Sequence, residues 1–217
     1  IMGTIKQGIL GGFSGKVGTV IGSSWKGISY MRGQAQHVKN PRSAGQLNQR
    51  SKFSLALSFL QPVVPYIRIG YKSQAAKQTE FNAAMSYTIK NAITGSYPNY
   101  ALDYTKIVVS KGGLTQVTGA TATWDNNSNE VKIDWTDNSG VGNALATDKA
   151  MPFIYNKAKG ETIYDTAGAT RATHTQSLTV PNDWEGDKVE VYLGMVSDDG
   201  KEVADSIYLG EVTLTPA

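Results

Sequence analysis

The segment GILGGFSGKVGTVIGSSWKG, residues 8–27, decides the class of this fold, because its seven glycines and two lysines suit either a phosphate-binding loop or a glycine-rich β-ribbon. A P-loop requires a glycine, four residues, Gly-Lys and then a hydroxyl residue, so that backbone amides wrap the phosphates and the hydroxyl holds magnesium. Around Gly15-Lys16, Leu10 replaces the first glycine and Val17 replaces the hydroxyl. No Gly-x-Gly-x-x-Gly and no strand–helix–strand context accompanies it. The segment instead alternates, with Val17, Thr19, Ile21, Ser23 and Trp25 on one side and Gly18, Val20, Gly22, Ser24 and Lys26 on the other, which is the period of a strand. Glycines inside a strand mark bends or close approach of another backbone. Residues 17–38 therefore read as a β-ribbon with one bend, and the glycines serve tight main-chain packing in an interface or core.

Outward from the ribbon, the pattern turns helical after Asn40-Pro41. Ser43 and Gln46 form a capping box, and Leu47, Arg50, Phe53, Leu57 and Leu60 share a stripe that Pro62 and Pro65 end or kink. Phe81, Ala84, Met85, Thr88, Ile89 and Ala92 define a second helix, with Gly95 as its stop. After Pro98 come short β-rich runs, at 105–110, 115–124, 130–136, 150–156, 173–180, 188–197 and 205–214, separated by Gly-, Asn- and Asp-rich turns. Seven such strands predict an antiparallel β-sandwich of immunoglobulin or fibronectin type III kind, with Trp135 of Val131-Lys-Ile-Asp-Trp135 as its buried tryptophan. The expected fold is α+β: a basic glycine-rich ribbon with two helices over residues 1–100, then an acidic β-sandwich over 101–217.

Charge supports that division. Residues 1–112 carry 14 Lys plus Arg against 2 acids, a net of +12, and residues 113–217 carry 7 against 16, a net of −9; the sum is the +3 of the chain. Such polarity favours encounter between opposite patches. No apolar run approaches the ~18 residues of a membrane span, so no membrane insertion is expected. Lys6, Lys16 and Lys26 interrupt the N-terminal region, no secretory signal is visible, and Ile1 ahead of Met2-Gly3 points to Met2 as the natural start. A cytoplasmic protein or a component of an assembled particle is the expectation. The absence of cysteine removes disulfides and thiolate chemistry.

Little in the sequence promises catalysis. The two histidines, His37 and His174, fall in different halves, and zinc sites and nucleophile triads need more than one isolated imidazole. Asp125-Asn-Asn-Ser-Asn129 begins like a calcium loop, yet Glu130 stands where that loop turns on glycine and Thr136 where it needs glutamate. Asp134, Asp137, Asp148 and Glu161 form a glycosidase-like pair only if the fold brings two of them together. No catalytic residue, cofactor or metal site is assigned, and the chain is expected not to be an enzyme.

Candidate partner-binding residues are Lys16, Lys26, Arg32, Lys39, Arg42 and Arg50, interleaved with Trp25, Tyr30 and His37. Single-stranded nucleic-acid binders use that mixture for phosphate neutralisation and base stacking. The simpler reading, preferred because no nucleic-acid motif accompanies it, makes Trp25 and Tyr30 core residues of the ribbon, with the cations solvating it or meeting an acidic neighbour.

The pattern Met2-Gly-Thr-Ile-Lys6, Gly11-Gly-Phe-Ser-Gly-Lys-Val-Gly-Thr-Val-Ile-Gly22, Trp25-Lys-Gly27, Arg32, Asn40-Pro-Arg-Ser43 and Gln46 through Phe53 resembles an uncharacterised domain-of-unknown-function family common in Bacteroidetes. The Asn-Pro-Arg-Ser run is also similar to segments of small phage-encoded proteins. The resemblance covers about the first 70 residues and implies no activity. The expectation is a non-enzymatic structural or interaction protein that self-associates, as a homo-oligomer, through basic N-terminal and acidic C-terminal surfaces. Nucleic-acid binding by the basic half is the main alternative, and a surface module that binds glycans through the sandwich loops is the third.

Overall fold

A computed structural model describes residues 3–5, 8, 11–36, 42–75 and 78–216. The chain is α+β, and its paired strands run antiparallel. It divides into two compact units, residues 1–43 and 44–217. The boundary expected at 100/101 falls inside the second unit, because both helical segments share a hydrophobic cluster with one of the sheets.

The first unit is a meander of β1 (Thr4–Ile5), β2 (Phe13–Val17), β3 (Val20–Trp25) and β4 (Ile28–Gly33), hydrogen-bonded in that order. The single bend expected in the ribbon is two tight turns, at Gly18-Thr19 and Lys26-Gly27. Lys26 and Gly27 take φ of 48° and 83°, which a two-residue hairpin turn with a right-handed twist demands. Gly22 is the buried residue of the three longer strands. A Cβ there would lie 2.2 Å from the Phe13 carbonyl oxygen and 2.4 Å from its ring, so the Phe13 ring lies against bare backbone.

The second unit begins with a continuous helical run of 27 residues, Ala44–Gly70, made of α1 (Ala44–Leu60), a 3₁₀ turn (Gln61–Val63) and α2 (Val64–Gly70). By length and composition the run could cross a membrane. In this fold its second half lies in the core, with Ala56, Phe59, Leu60, Val63, Tyr66 and Ile67 buried, while residues 44–55 are exposed or half-buried. Pro62 and Pro65 do not stop it, because each sits in the first turn of its segment, where a missing N–H removes no intrahelical bond. The expected stripe drifts in phase, leaving Phe53 49% exposed. α3 (Glu80–Asn91) is capped by the Thr79 hydroxyl, which accepts from the Asn82 amide at 3.2 Å, and buries Ala84, Met85 and Thr88 as its period requires. Gly95 is not a stop after α3. It lies in β5 (Ile93–Ser96), which pairs with β6 (Asn99–Leu102) across a cis Tyr97–Pro98 bond.

The remaining strands are β7 (Thr118–Asp125), β8 (Glu130–Thr136), β9 (Lys149–Asn156), β10 (Glu161–Tyr164), β11 (Thr175–Thr179), β12 (Lys188–Val196) and β13 (Ile207–Thr213). They form a four-stranded sheet, β10-β9-β12-β13, and a three-stranded sheet, β11-β8-β7. β9 and β12 are covered on both faces. Met151, Phe153, Tyr155 and Tyr192 pack with the helices, while Ile154, Val191, Leu193 and Met195 pack with Val131, Ile133 and Trp135 of the other sheet. Strand alternation produces this division, since neighbouring residues point to opposite faces. Gly194 breaks the helix-facing row, and a Cβ there would lie 2.7 Å from the Ser110 hydroxyl and 3.0 Å from that of Tyr66. Into this gap Tyr66 reaches to donate to the Met151 carbonyl at 2.8 Å. The strand expected at 105–110 is instead a 3₁₀ turn (Tyr104–Lys106) and an extended segment whose amides find side chains, as Val109 N donates to Ser206 Oγ at 2.9 Å.

Candidate functional site

The register of the meander sets what each ribbon face carries. Lys16 pairs with Ile21, and Ile21 with Arg32; Ser23 pairs with Tyr30 and Trp25 with Ile28. Cross-strand partners share a face and the period along each strand is two. Lys16, Ile21, Trp25, Ile28, Tyr30 and Arg32 therefore form one face, while Gly15, Val17, Val20, Gly22, Met31 and Gly33 form the other. Trp25 is 52% exposed, Ile28 68% and Tyr30 46%. The sequence expectation that Trp25 and Tyr30 form the ribbon's core is not met. The described residues of this unit form a single layer with no second layer of their own to bury them, and the face they occupy mixes apolar surface with cations.

Of the six residues singled out from the sequence, Lys16 and Arg32 stand in one cross-strand row, on either side of Ile21. Lys26 occupies the β3–β4 turn with its ammonium 5.5 Å from the centroid of the Trp25 ring, a cation–π distance. Arg42 is exposed ahead of α1. Lys39, like His37, lies outside the described residues. Arg50 belongs to the other unit, where it lines an apolar groove of about 410 Å³ with Phe53, Leu57 and Ile89. Residues 1–43 contain six Lys plus Arg and no Asp or Glu, so the meander unit carries +6 by composition.

The second unit gathers a cluster of ionisable groups around Glu190. Glu190 is 3% exposed; its carboxylate accepts from Tyr208 Oη at 2.5 Å and pairs with Lys157 at 2.7 Å. Burial works against the Lys157 cation, but Glu190 and Glu211 outweigh it and raise its pKa. Bonds from Lys157 and Lys188 hold the Glu211 carboxyl down at about 2. Burial pushes the Tyr104 hydroxyl up to about 12. Glu190, Glu211, Lys157 and Tyr208 are thus joined in one hydrogen-bonded network.

The carboxylates considered for glycoside hydrolysis each have a partner of their own, Asp137 accepting from the Ser139 amide at 2.8 Å. Asp134 pairs with Lys132 at 3.1 Å, Asp148 with Arg171 at 2.9 Å, and Glu161 accepts from the Trp184 indole at 3.1 Å. Asp125 closes its own turn by accepting from the Asn127 amide and the Ser128 hydroxyl. His174, expected within the strand at 173–180, lies just ahead of β11, which begins at Thr175, and takes a left-handed conformation with φ of 67°. Among the described residues, no three His, Cys, Asp or Glu side chains are placed to hold a metal ion.

The sequence model of a family of unknown function, DUF6266, matches residues 12–210. The chain belongs to this family. The match takes in β2–β4 of the meander, the helices and nearly all of both larger sheets, so the DUF6266 unit is much longer than the N-terminal motif that first suggests it. None of the curated proteins compared with the chain matches it.

Proposed function

We propose that this DUF6266 protein is a non-enzymatic structural or interaction protein that docks through its meander and self-associates. One observation carries the reading: the face formed by Lys16, Ile21, Trp25, Ile28, Tyr30 and Arg32 exposes large apolar rings beside cations. Exposed aromatic residues flanked by arginine are what interface centres are made of. A four-stranded sheet with one such open face gains stability when a partner covers it.

In this reading the rest of the chain is a rigid carrier. We read β7–β13 as a sandwich of fibronectin type III kind, supported by the division into three and four strands, by the chain's switches between sheets after β8, β10 and β11, and by the buried Trp135 between the sheets. The helices thicken its four-stranded sheet.

Nucleic-acid binding is the competing reading, since Trp25 and Tyr30 beside Lys16 and Arg32 also make a stacking platform. Light scattering at low and high salt, with filter binding to single-stranded DNA in parallel, separates the two. The interaction reading expects concentration-dependent association that salt weakens and that Trp25→Ala with Tyr30→Ala removes. A monomer at every salt and protein concentration sinks it, and salt-sensitive DNA binding by that monomer selects the competitor.

A further inference from the structure

We propose that the meander face of one copy seats in an acidic groove at one end of the larger unit of a second copy, so that copies add head to tail. The inference rests on the self-association reading above and names its acceptor. The groove encloses about 460 Å³ and is lined by Leu145, Asp148, Asp198, Asp199, Glu202 and one cation, Lys201, among others. Asp198 and Asp199 already pair with Lys149 and Lys201, so the excess negative charge of the lining rests on Glu202.

Three observations favour this acceptor. First, the groove is both acidic and apolar, as the meander face is both basic and apolar. Leu145 is 60% exposed and Val141, in the same loop, 58%. The loops at the opposite end, 125–130, 156–161 and 181–187, carry more carboxylates without a cationic partner among the described residues, namely Asp125, Glu130, Glu161, Glu185 and Asp187, but no exposed large apolar side chain. That end attracts a cation at long range and offers Trp25 and Ile28 nothing to bury against.

Second, Asp148 is wholly buried and half satisfied. Its Oδ2 accepts from Arg171 Nη2 at 2.9 Å and from the Leu145 amide at 2.8 Å, while Oδ1 has no hydrogen-bond partner. A buried carboxylate oxygen without a donor is costly, and its unsatisfied negative charge favours a cation in the groove that Asp148 lines, at a distance and without direct contact. Third, contact between two meanders would oppose two units of +6, whereas contact between meander and groove opposes unlike charges. Donor and acceptor surfaces differ, so the contact is heterologous and propagates as a ring or an open filament.

A reciprocal charge exchange tests it by sedimentation at low salt. The double variant Lys16→Glu with Arg32→Glu, and the double variant Asp199→Lys with Glu202→Lys, should each associate at least about tenfold more weakly than the wild type. Mixed, they should recover association, since the acidic meander of one then meets the basic groove of the other and the second pair of surfaces is unaltered. Asp183→Lys with Glu185→Lys, at the opposite end, should change association little. Leu145→Ala, truncating an exposed side chain, should weaken association while leaving the melting temperature in place, which covers any folding loss in the charge variants. Self-association that the opposite-end variant abolishes and the groove variants leave intact overturns this inference alone. Failure of the mixture to recover does the same. A wild type that stays monomeric at low salt and high concentration overturns it together with the reading beneath it.

Discussion

Arg171 Nη2 lies 2.9 Å from Asp148 Oδ2, and neither side chain is exposed. The same guanidinium donates to Asn138 Oδ1 at 2.6 Å and to the Thr115 carbonyl at 2.8 Å, and the Arg171 carbonyl accepts the Trp135 indole N–H at 2.8 Å. One arginine thereby ties together the segment before β7, both ends of the β8–β9 loop and the tryptophan between the sheets. A buried ion pair of this kind secures a unique arrangement more than it adds net stability.

Removing one partner should therefore cost far more than removing both. Asp148→Ala leaves an unpaired buried guanidinium and should destabilise by about 3–5 kcal/mol. Arg171→Met combined with Asp148→Leu should recover much of that loss. Urea titrations of the two variants decide the matter, and equal losses in both would contradict the account.

The helix-to-sheet contact has two separable components. Phe59 is wholly buried with its ring 4.9 Å from that of Tyr155, so Phe59→Ala should cost about 3–5 kcal/mol through lost transfer energy and a cavity. Tyr66→Phe removes no carbon but leaves the Met151 carbonyl without its 2.8 Å donor, and should cost about 1–3 kcal/mol. Calorimetric melting should rank the two in that order.

Much of this architecture is legible because its burial follows a period. The run Val131-Lys-Ile-Asp-Trp135 alternates buried with less buried residues, and β8 occupies the expected 130–136. β12 stays legible with both faces covered, since Val189 through Val196 is a nearly continuous apolar run. β10 is four residues long beside a polar turn, too short to show a period. The helical run through Pro62 and Pro65 was hidden for a different reason: a proline signals a stop or a first turn with the same letter, and only the restart at Gln61 and Val64 separates the two. At the candidate site, alternation in the sequence places Ile21 and Trp25 on one side, while the cross-strand row joining Lys16 to Arg32 depends on two hairpin turns. The orphaned Asp148 oxygen depends on contacts far apart in sequence and has no local signal.

Gly22 tests whether the ribbon glycines serve packing. Its missing side chain is what allows the Phe13 ring to lie on the sheet, and Gly22→Ala would place a methyl 2.2 Å from the Phe13 carbonyl oxygen. Overpacking of this severity costs about 1–3 kcal/mol, borne by the meander, so a global melt is the wrong probe. Amide hydrogen exchange should accelerate through residues 13–33 and remain unchanged in β9 and β12. Gly33→Ala, whose Cβ meets nothing within 4 Å, should leave exchange slow, and equal acceleration in both variants would remove the packing argument.

Acid should loosen the β12–β13 pairing through Glu211, which pairs with Glu190 in the register and binds Lys157 and Lys188. Those two ammonium groups hold its pKa at about 2, below the usual ~4.3. Since the unfolded chain takes up the proton first, this contribution is complete above pH ~4.3 and is lost as pH falls toward about 2. Other carboxylates are lowered too, among them Asp103 and Asp183, so the wild type should lose stability in acid regardless, and the informative quantity is the difference from Glu211→Gln. That variant should melt below the wild type at neutral pH, with the gap closing across pH ~4.3 to ~2. A gap that stays constant through this window would show that the Glu211 charge contributes nothing, and that its bonds to the lysines matter only as packing.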